Sequence, residues 1–146
     1  MVDAGASIKK RILILCTGNS ARSQMAEGLL RQQAGDRFEV VSAGSKPGVV
    51  RPEAIQVMRE IGIDISHHRS KHLDEFRGQH FDYVLTVCDN ANESCPIFPA
   101  ATVRIHESFE DPPPPSEGSE QERLSVFRRV RDQLRSYLKQ FASARR

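Results

Sequence analysis

Short apolar runs alternate along the chain with longer stretches in which apolar residues recur at helical spacing. The run 12–15 is apolar throughout, as expected of a strand buried in a parallel sheet. Strands are also predicted at 38–43, 81–87 and 102–105, and helices at 23–33, 52–61 and 119–141. This β-α-β-α-β-β-α order predicts an α/β domain of three layers: a four-stranded, mostly parallel sheet flanked by helices on both faces.

Residues that begin or end helices stand at the borders of these stretches. Pro52 suits the first turn of the second helix, and Gly62 follows its last apolar residue. Ser119 and Glu122 have the spacing of a capping box, in which each side chain bonds the backbone N–H of the other residue. The four prolines at 112–115 exclude regular structure before that point. We therefore expect the last helix to begin after a loop that follows the fourth strand.

Length and composition describe an ordinary globular domain. The chain has 146 residues, of which 38% are apolar and 27% charged, which predicts a single catalytic domain at 9–142 after a flexible tail at 1–8. The formal charge of +2 does not favour nucleic acid as a partner. No apolar stretch approaches the roughly 18 residues that span a membrane, and the first residues lack a signal-peptide core. We expect a cytoplasmic monomer with reduced cysteines and no membrane partner.

The segment that joins the first strand to the first helix can surround an anion. Cys16 ends the strand, and Arg22 stands at the start of the helix. The backbone N–H groups of this loop, the helix dipole and the guanidinium would direct positive charge at one tetrahedral oxyanion. The same field favours the thiolate form of Cys16, and Ser23 can donate a hydrogen bond to its sulfur. The predicted oxyanion-binding residues are Thr17, Gly18, Asn19, Ser20, Ala21 and Arg22, with Cys16 as the nucleophile.

Two other interpretations of this loop are weaker. A nucleotide-binding loop of the Walker type would end in Gly-Lys-Ser or Gly-Lys-Thr, and this segment contains no lysine. The spacing Cys-x5-Arg occurs often by chance, so Cys16 could be an ordinary buried cysteine. Its position directly after a buried strand and before a helix favours the nucleophile over that alternative.

Further candidate residues follow the third and fourth strands. Cys88 ends the third strand, so it should lie at the same sheet edge as Cys16. Asp111 precedes Pro112 after the fourth strand and could be held above the anion as a general acid, although Asp-Pro is also common in plain turns. Cys88 and Cys95 could be ordinary thiols or half of a zinc site. No histidine has a suitable spacing around them, so we expect no bound metal.

The run 15–28, Leu-Cys-Thr-Gly-Asn-Ser-Ala-Arg-Ser-Gln-Met-Ala-Glu-Gly, closely resembles the low-molecular-weight protein tyrosine phosphatase superfamily. More narrowly, it is similar to the thioredoxin-coupled arsenate reductases built on that fold. The resemblance continues through 42–44, 62–66, 86–89 with 95–96, and 109–112, and so covers nearly everything between residues 11 and 141. It implies a phosphatase-like fold and an enzyme without a cofactor, with arsenate as substrate and phosphate or sulfate as analogues.

In the mechanism that this resemblance implies, Cys16 attacks arsenate while Asp111 protonates the leaving oxygen. Cys88 then attacks Cys16, which expels arsenite and leaves a Cys16–Cys88 disulfide. Cys95 attacks Cys88 in turn, and thioredoxin reduces the resulting Cys88–Cys95 disulfide. The segment 89–94 would have to rearrange for those sulfurs to meet, so its amide protection should differ between the reduced and oxidised states. The implied catalytic residues are Cys16, Arg22, Ser23, Cys88, Cys95 and Asp111.

Two alternative functions stay open. A low-molecular-weight protein tyrosine phosphatase would use Cys16, Arg22 and Asp111 without the other two cysteines. Phosphatases of this fold usually have an aromatic residue after the Asp-Pro pair, whereas Pro113 stands there in this chain. A non-catalytic regulator could instead bind an oxyanion, or hold arsenite with three thiols as soft ligands.

Two positions depart from the pattern of these reductases. Some relatives carry another cysteine where Ala21 stands. Some also hold a potassium ion with residues that match Asn19, Glu27 and Ser42 together with an aspartate, and the position of that aspartate corresponds to Lys71. We expect the ammonium of Lys71 to take the place of the cation, and the activity to be insensitive to potassium.

Overall fold

The computed structural model describes residues 9–89 and 96–145. Its strands are β1 (Lys10–Cys16), β2 (Phe38–Gly44), β3 (Phe81–Thr86) and β4 (Ala101–His106). Its helices are α1 (Arg22–Ala34), α2 (Pro52–Arg59) and α3 (Glu120–Ala144), with a 3-10 helix at Leu73–Phe76. The elements predicted from the sequence are therefore confirmed, with β3 ending one residue earlier than predicted. The predicted tail at 1–8 and the candidate residue Cys95 lie outside the described residues.

The four strands form one sheet in the order β2-β1-β3-β4, and every strand pair is parallel. The central strand β1 pairs Cys16 with Gly44 of β2 and Leu15 with Thr86 of β3. The carboxyl ends of these strands consequently meet at one edge of the sheet, which is where ligands bind in folds of this kind. The sheet confirms the expected α/β architecture.

The two faces of the sheet are covered differently. Ile12 and Ile14 of β1 point into a large core that also contains buried residues of all three α-helices: Met25, Leu29 and Leu30 of α1, Val57 and Met58 of α2, and Phe127 and Leu134 of α3. Leu13 and Leu15 point into a smaller core on the opposite face. There the cover consists of Phe98, with Leu73 and Phe76 of the 3-10 helix, rather than an α-helix.

The helix α3 begins with the predicted capping box. The Ser119 hydroxyl accepts a hydrogen bond from the backbone N–H of Glu122 (3.1 Å), and the Glu122 carboxylate accepts one from the backbone N–H of Ser119 (2.8 Å). One face of this helix is buried in the large core, and Arg131 is buried with it, while most of its other charged residues are exposed. Among the described residues, no helix is long and apolar enough to cross a membrane.

Candidate active site

Cys16 lies at the base of a loop, the anion cradle (residues 16–22), that joins β1 to α1. Its side chain is a free thiol and only 2% exposed. The Ser23 hydroxyl lies 2.9 Å from the sulfur, and the backbone N–H of Asn19 donates to the sulfur at 3.3 Å. Because the Asn19 amide already donates to the Ser23 oxygen (2.7 Å), the arrangement suits donation of the Ser23 hydrogen to Cys16. Two hydrogen-bond donors therefore point at the sulfur of the predicted nucleophile.

The carbonyl groups of the cradle are hydrogen-bonded from outside the loop. Backbone N–H groups of Lys46 and Arg51 donate to Thr17 and Ser20, at 2.9 and 2.8 Å. The Ser70 hydroxyl donates to the Gly18 carbonyl at 2.9 Å, and the Gln24 amide donates to the Asn19 carbonyl at 3.0 Å. In a trans peptide the N–H points opposite to the C=O. The next N–H group after each of these carbonyls therefore faces the interior of the cradle. These N–H groups are those of Gly18, Asn19, Ser20 and Ala21.

Asn19 has an unusual backbone conformation that shapes the cradle. Its φ of 47° is the only positive value at a non-glycine residue in the described part of the chain. Its side chain is buried and saturated with partners: the amide nitrogen donates to Ser23 and Ser42, while the amide oxygen accepts from the backbone of Lys71 and from Gln24. This left-handed turn directs the Asn19 N–H at the sulfur.

The end of β2 approaches the cradle so closely that only glycine fits there. A Cβ atom added at Gly44 would lie 2.5 Å from the Thr17 oxygen and 2.9 Å from the Asn19 nitrogen. Cβ atoms in real structures essentially never approach another heavy atom this closely, so a side chain at Gly44 would push the cradle away from β2. The sequence pattern Ser42-Ala43-Gly44 carried no indication of this contact until the register of β1 and β2 placed Gly44 beside Cys16.

Arg22 of the cradle contacts Asp111, which lies in the loop after β4. The Arg22 guanidinium is buried, and it donates to the Phe109 carbonyl (3.2 Å) and lies 3.3 Å from the Asp111 carboxylate. The Asp111 side chain is 64% exposed, so it stands between the cradle and solvent. Phe109 anchors this loop to α3, because its ring packs edge-on against Tyr137 at 5.9 Å. A guanidinium at the base and a carboxyl at the mouth suit binding and protonation of an oxyanion.

Glu27 is the buried carboxylate beneath the cradle. The Ser42 hydroxyl donates to one of its oxygens (2.5 Å) and Arg31 donates to the other (2.6 Å). The Lys71 ammonium lies 4.0 Å from Glu27, and it donates to the Arg69 carbonyl at 3.1 Å. Burial lowers the pKa of Lys71, while the Glu27 carboxylate acts in the opposite direction by favouring the charged ammonium. The structure thus places the Lys71 ammonium near the Glu27 carboxylate.

Cys88 lies at the same sheet edge as Cys16, as predicted from its position after the third strand. It is fully buried, and the hydrogen bond from the Val87 N–H to the Leu15 carbonyl (2.9 Å) continues the β1–β3 pairing up to it. Within residues 9–89 and 96–145, no three His, Cys, Asp or Glu side chains cluster as metal ligands would. The predicted partner of Cys88, Cys95, belongs to the part of the chain outside those ranges.

Comparison with known proteins places these features in a family. Residues 11–145 match the family Low molecular weight phosphotyrosine protein phosphatase. The chain is 46% identical to an arsenate reductase of Halalkalibacterium halodurans over 134 residues, covering 92% of this chain and 96% of the relative.

Two solved structures extend the comparison. An arsenate reductase in the phosphate binding state superposes with a TM-score of 0.78 at 30% identity, covering 92% of this chain and 98% of the other. A thioredoxin-dependent arsenate reductase of Corynebacterium glutamicum superposes with a TM-score of 0.59 at 30% identity, covering 92% of this chain and 64% of the other.

Proposed function

Since the chain belongs to the low molecular weight phosphotyrosine protein phosphatase family, we propose that it uses the anion cradle to reduce arsenate to arsenite. The observation that carries this proposal is the position of Cys88 at the same sheet edge as Cys16. A phosphatase needs one cysteine, whereas reduction of arsenate needs two electrons, which a pair of thiols can supply. The similarity to arsenate reductases supports the same choice.

In the first step, the Cys16 thiolate attacks arsenic and a sulfur–arsenic bond forms. One arsenic–oxygen bond breaks, and the departing oxygen leaves as water after taking a proton from Asp111. The cradle N–H groups and the Arg22 guanidinium bind the remaining oxygens and their negative charge. The exposed position of Asp111 supports this role, because the acid must lie on the side from which the leaving oxygen departs.

In the second step, the Cys88 thiolate attacks the Cys16 sulfur. The electron pair of the sulfur–arsenic bond passes to arsenic, so As(V) becomes As(III) and arsenite leaves, while a Cys16–Cys88 disulfide forms. Cys95 then attacks Cys88, which releases Cys16 and produces a Cys88–Cys95 disulfide. The burial of both Cys16 and Cys88 supports such a relay, because a protein reductant cannot reach sulfurs that are enclosed in the core.

Thioredoxin is the proposed reductant, supplying two thiols that reduce the Cys88–Cys95 disulfide. The thioredoxin dependence of the related Corynebacterium glutamicum enzyme supports this choice. A relay of this kind works where thiols are kept reduced, which fits a cytoplasmic enzyme. No cofactor is needed, because the electrons move between sulfur atoms.

We also propose that Lys71 takes the place of a bound potassium ion beneath the cradle. Its side chain is 12% exposed and its ammonium lies 4.0 Å from the Glu27 carboxylate, so a positive charge already stands beside that carboxylate. Asn19 and Ser42, which would share the ion in relatives, are bonded to each other at 3.0 Å. A second cation at this point would meet repulsion from Lys71.

The direct test is arsenate turnover with thioredoxin, thioredoxin reductase and a nicotinamide donor, comparing the native protein with Cys95→Ser. The native protein should consume the nicotinamide when arsenate is added. The variant should lose nearly all turnover and accumulate a Cys16–Cys88 disulfide, which peptide mapping detects. Turnover by Cys95→Ser at the native rate would overturn the relay.

Hydrolysis of an aryl phosphate supplies the control for an intact cradle. Cys95→Ser should keep whatever rate the native protein has, because that reaction would use Cys16, Arg22 and Asp111 alone. A native protein that hydrolyses aryl phosphates and shows no arsenate-dependent oxidation of the nicotinamide would favour the phosphatase alternative.

A further inference from the structure

Gln24 is a fully buried side chain that the proposed reaction does not use. It lies in the first turn of α1, two residues after Arg22, and it turns back towards the cradle. We infer that Gln24 is a positioning residue for Cys16, acting through Asn19. This inference rests on the proposed function only in taking Cys16 as the nucleophile.

The hydrogen bonds of Gln24 fix which way its amide points. The amide nitrogen lies 3.0 Å from the Asn19 carbonyl, 2.9 Å from the Asn19 side-chain oxygen and 2.9 Å from the Arg69 carbonyl. Three oxygens around one atom require that atom to be the donor, because the amide oxygen would be repelled by all of them. The amide oxygen therefore faces the His68 ring nitrogen Nδ1, at 2.9 Å.

His68 completes this orientation from the other side. For Nδ1 to donate to the Gln24 oxygen, it must carry the hydrogen. Burial lowers the pKa of His68, which favours the neutral ring, and the neutral Nδ1–H tautomer satisfies the bond. Gln24 is thus held between a donor and three acceptors, which share the two hydrogens of its amide nitrogen, and only one orientation of the amide group fits this set.

The consequence for the nucleophile follows from the two bonds to Asn19. Gln24 bonds both the backbone oxygen and the side-chain oxygen of Asn19, so it restrains the left-handed backbone and the amide group together. The backbone N–H of Asn19 is one donor to the Cys16 sulfur, and its amide sets the Ser23 hydroxyl that is the other. Both donors to the sulfur therefore depend on an orientation that Gln24 maintains.

Gln24 also ties the cradle to the segment that carries Ser70 and Lys71. Its bond to the Arg69 carbonyl adds to the contacts by which Ser70 binds Gly18 and Lys71 binds Asn19. A side chain of the same volume without a donor would keep the packing and lose all three bonds. Methionine has this property, because it is unbranched and similar in length to glutamine.

The test measures the alkylation of Cys16 against pH. Cys88→Ala and Cys95→Ala together leave Cys16 as the only cysteine. In that background, Gln24→Met should raise the pH midpoint of the reaction with iodoacetamide by about one unit and slow the reaction at neutral pH about tenfold. Arg22 is present in every variant, so its charge affects the pH midpoint of Cys16 alkylation equally in all of them.

Gln33→Met is the matched control. The substitution is the same, the residue lies in the same helix, and its side chain bonds the Arg135 carbonyl rather than the cradle. It should leave the midpoint unchanged. An unchanged midpoint in folded Gln24→Met, or an equal shift in Gln33→Met, would overturn the inference.

Two further measurements separate the possible outcomes. In the native protein, the side-chain amide hydrogens of Gln24 should exchange slowly with solvent, and exchange at the rate of a free amide would overturn the inference even if Gln24→Met did not fold. With all three cysteines present, folded Gln24→Met should lower kcat/KM for arsenate about tenfold. Absence of arsenate turnover in the native protein would refute the proposed function and leave the alkylation result standing.

Discussion

Two polar clusters of this domain are built around glutamates, of which Glu27 and Glu53 are buried and Glu60 is exposed, and they differ in the groups that surround the carboxylates. The cradle cluster consists of Asn19, Gln24, Glu27, Ser42 and Lys71. The helix seam, between α2 and α3, consists of Arg51, Glu53, Glu60, Arg123, Arg128 and Arg131. In the cradle cluster the short side chain of Ser42 binds Glu27 beside Arg31, and side-chain and backbone groups of several segments bind Asn19. In the seam, long guanidinium groups reach the carboxylates across a gap between helices.

In the helix seam, the carboxylates are each bound by two arginines. Arg51 and Arg123 bind Glu53 at 3.1 and 3.0 Å. Arg128 and Arg131 bind Glu60 at 2.7 and 3.0 Å. Long side chains can keep such bonds through small shifts of the helices. The seam therefore contributes to stability without transmitting precise geometry.

In the cradle cluster, several hydrogen bonds converge on Asn19, whose position affects Cys16. A shift of Asn19 by a few tenths of an ångström would lengthen both the bond to the sulfur and the bond that orients Ser23. Hydrogen-bonded carboxylates can therefore serve the reactivity of a site in one region and the stability of the fold in another. Changes in the cradle cluster should alter reactivity more than stability, and changes in the helix seam should do the reverse.

The largest effect is expected at the base of the cradle, for Arg22→Lys. An ammonium cannot hold two oxygens of the anion in a fork, so kcat/KM for arsenate should fall about a thousandfold. Steady-state turnover and calorimetric phosphate binding would measure the loss. Activity within about tenfold of the native protein would show that charge alone suffices there.

A smaller loss is expected for Ser23→Ala, which removes one of the two donors to the Cys16 sulfur. The rate of Cys16 alkylation at neutral pH should fall about 10- to 100-fold, while the free energy of unfolding should change by less than about 1 kcal/mol. Iodoacetamide kinetics and urea unfolding would measure the two quantities. A large loss of stability without a loss of reactivity would reverse the assignment of this cluster.

The opposite pattern is expected for Glu53→Gln in the helix seam. The substitution leaves Arg51 and Arg123 without their carboxylate, so the free energy of unfolding should fall by about 1–2 kcal/mol. Arsenate turnover should stay within about twofold of the native rate. A strong loss of activity in a folded variant would show that the seam does transmit geometry to the cradle.

The helix seam also predicts how stability depends on pH. Burial of Glu53 acts to raise its pKa, but hydrogen bonds from its own backbone N–H, Arg51 and Arg123 outweigh burial and leave the pKa below its ordinary value of 4.5. The pKa of Glu60 is also lowered, chiefly by its hydrogen bond from Arg128. A carboxyl with a lower pKa in the folded state stabilises the fold above its unfolded pKa and loses that contribution as the pH falls through the folded pKa.

The native protein should therefore lose stability more steeply than Glu53→Gln when the pH falls below 4.5. Urea unfolding between neutral pH and the acid transition would measure both curves. Parallel curves for the two proteins would show that Glu53 contributes no acid-sensitive stability.

The smallest effect is expected for potassium. Native activity should not change when potassium replaces sodium at constant ionic strength, because Lys71 already supplies the positive charge beside Glu27. The arsenate turnover of Lys71→Asp should depend on potassium and should rise about threefold when potassium is added. A native enzyme that potassium activates strongly would contradict the role proposed for Lys71.

Local patterns were sufficient for the elements of the fold and for the cradle. The apolar run before Cys16 and the helical spacing after Arg22 predicted a strand, a loop and a helix, and the structure confirms all three. Ser119 and Glu122 predicted the start of α3, because a capping box involves residues three apart. The cover of the second sheet face was harder to predict, since a short 3-10 helix has no extended periodicity.

Local sequence patterns did not reveal the contacts between distant segments. From the sequence alone, Gln24 is one more polar residue of a predicted helix. Only the folded structure shows that its side chain contacts Asn19 and Arg69. Gly44 and Ser70 are similar cases, because their importance comes from the close approach of another strand or loop to the cradle.

By itself, the sequence determined the order of strands and helices and the positions of Cys16 and Arg22 at the two ends of the loop between β1 and α1, because each depends on neighbours within a few residues. Tertiary structure decided how the cradle is held: which carbonyls are bonded from outside, which side chain restrains Asn19, and where the Lys71 ammonium stands. Most of those features depend on distances between segments more than twenty residues apart, and packing sets such distances. Gln24 is only five residues from Asn19, but its amide is oriented by the distant Arg69 and His68.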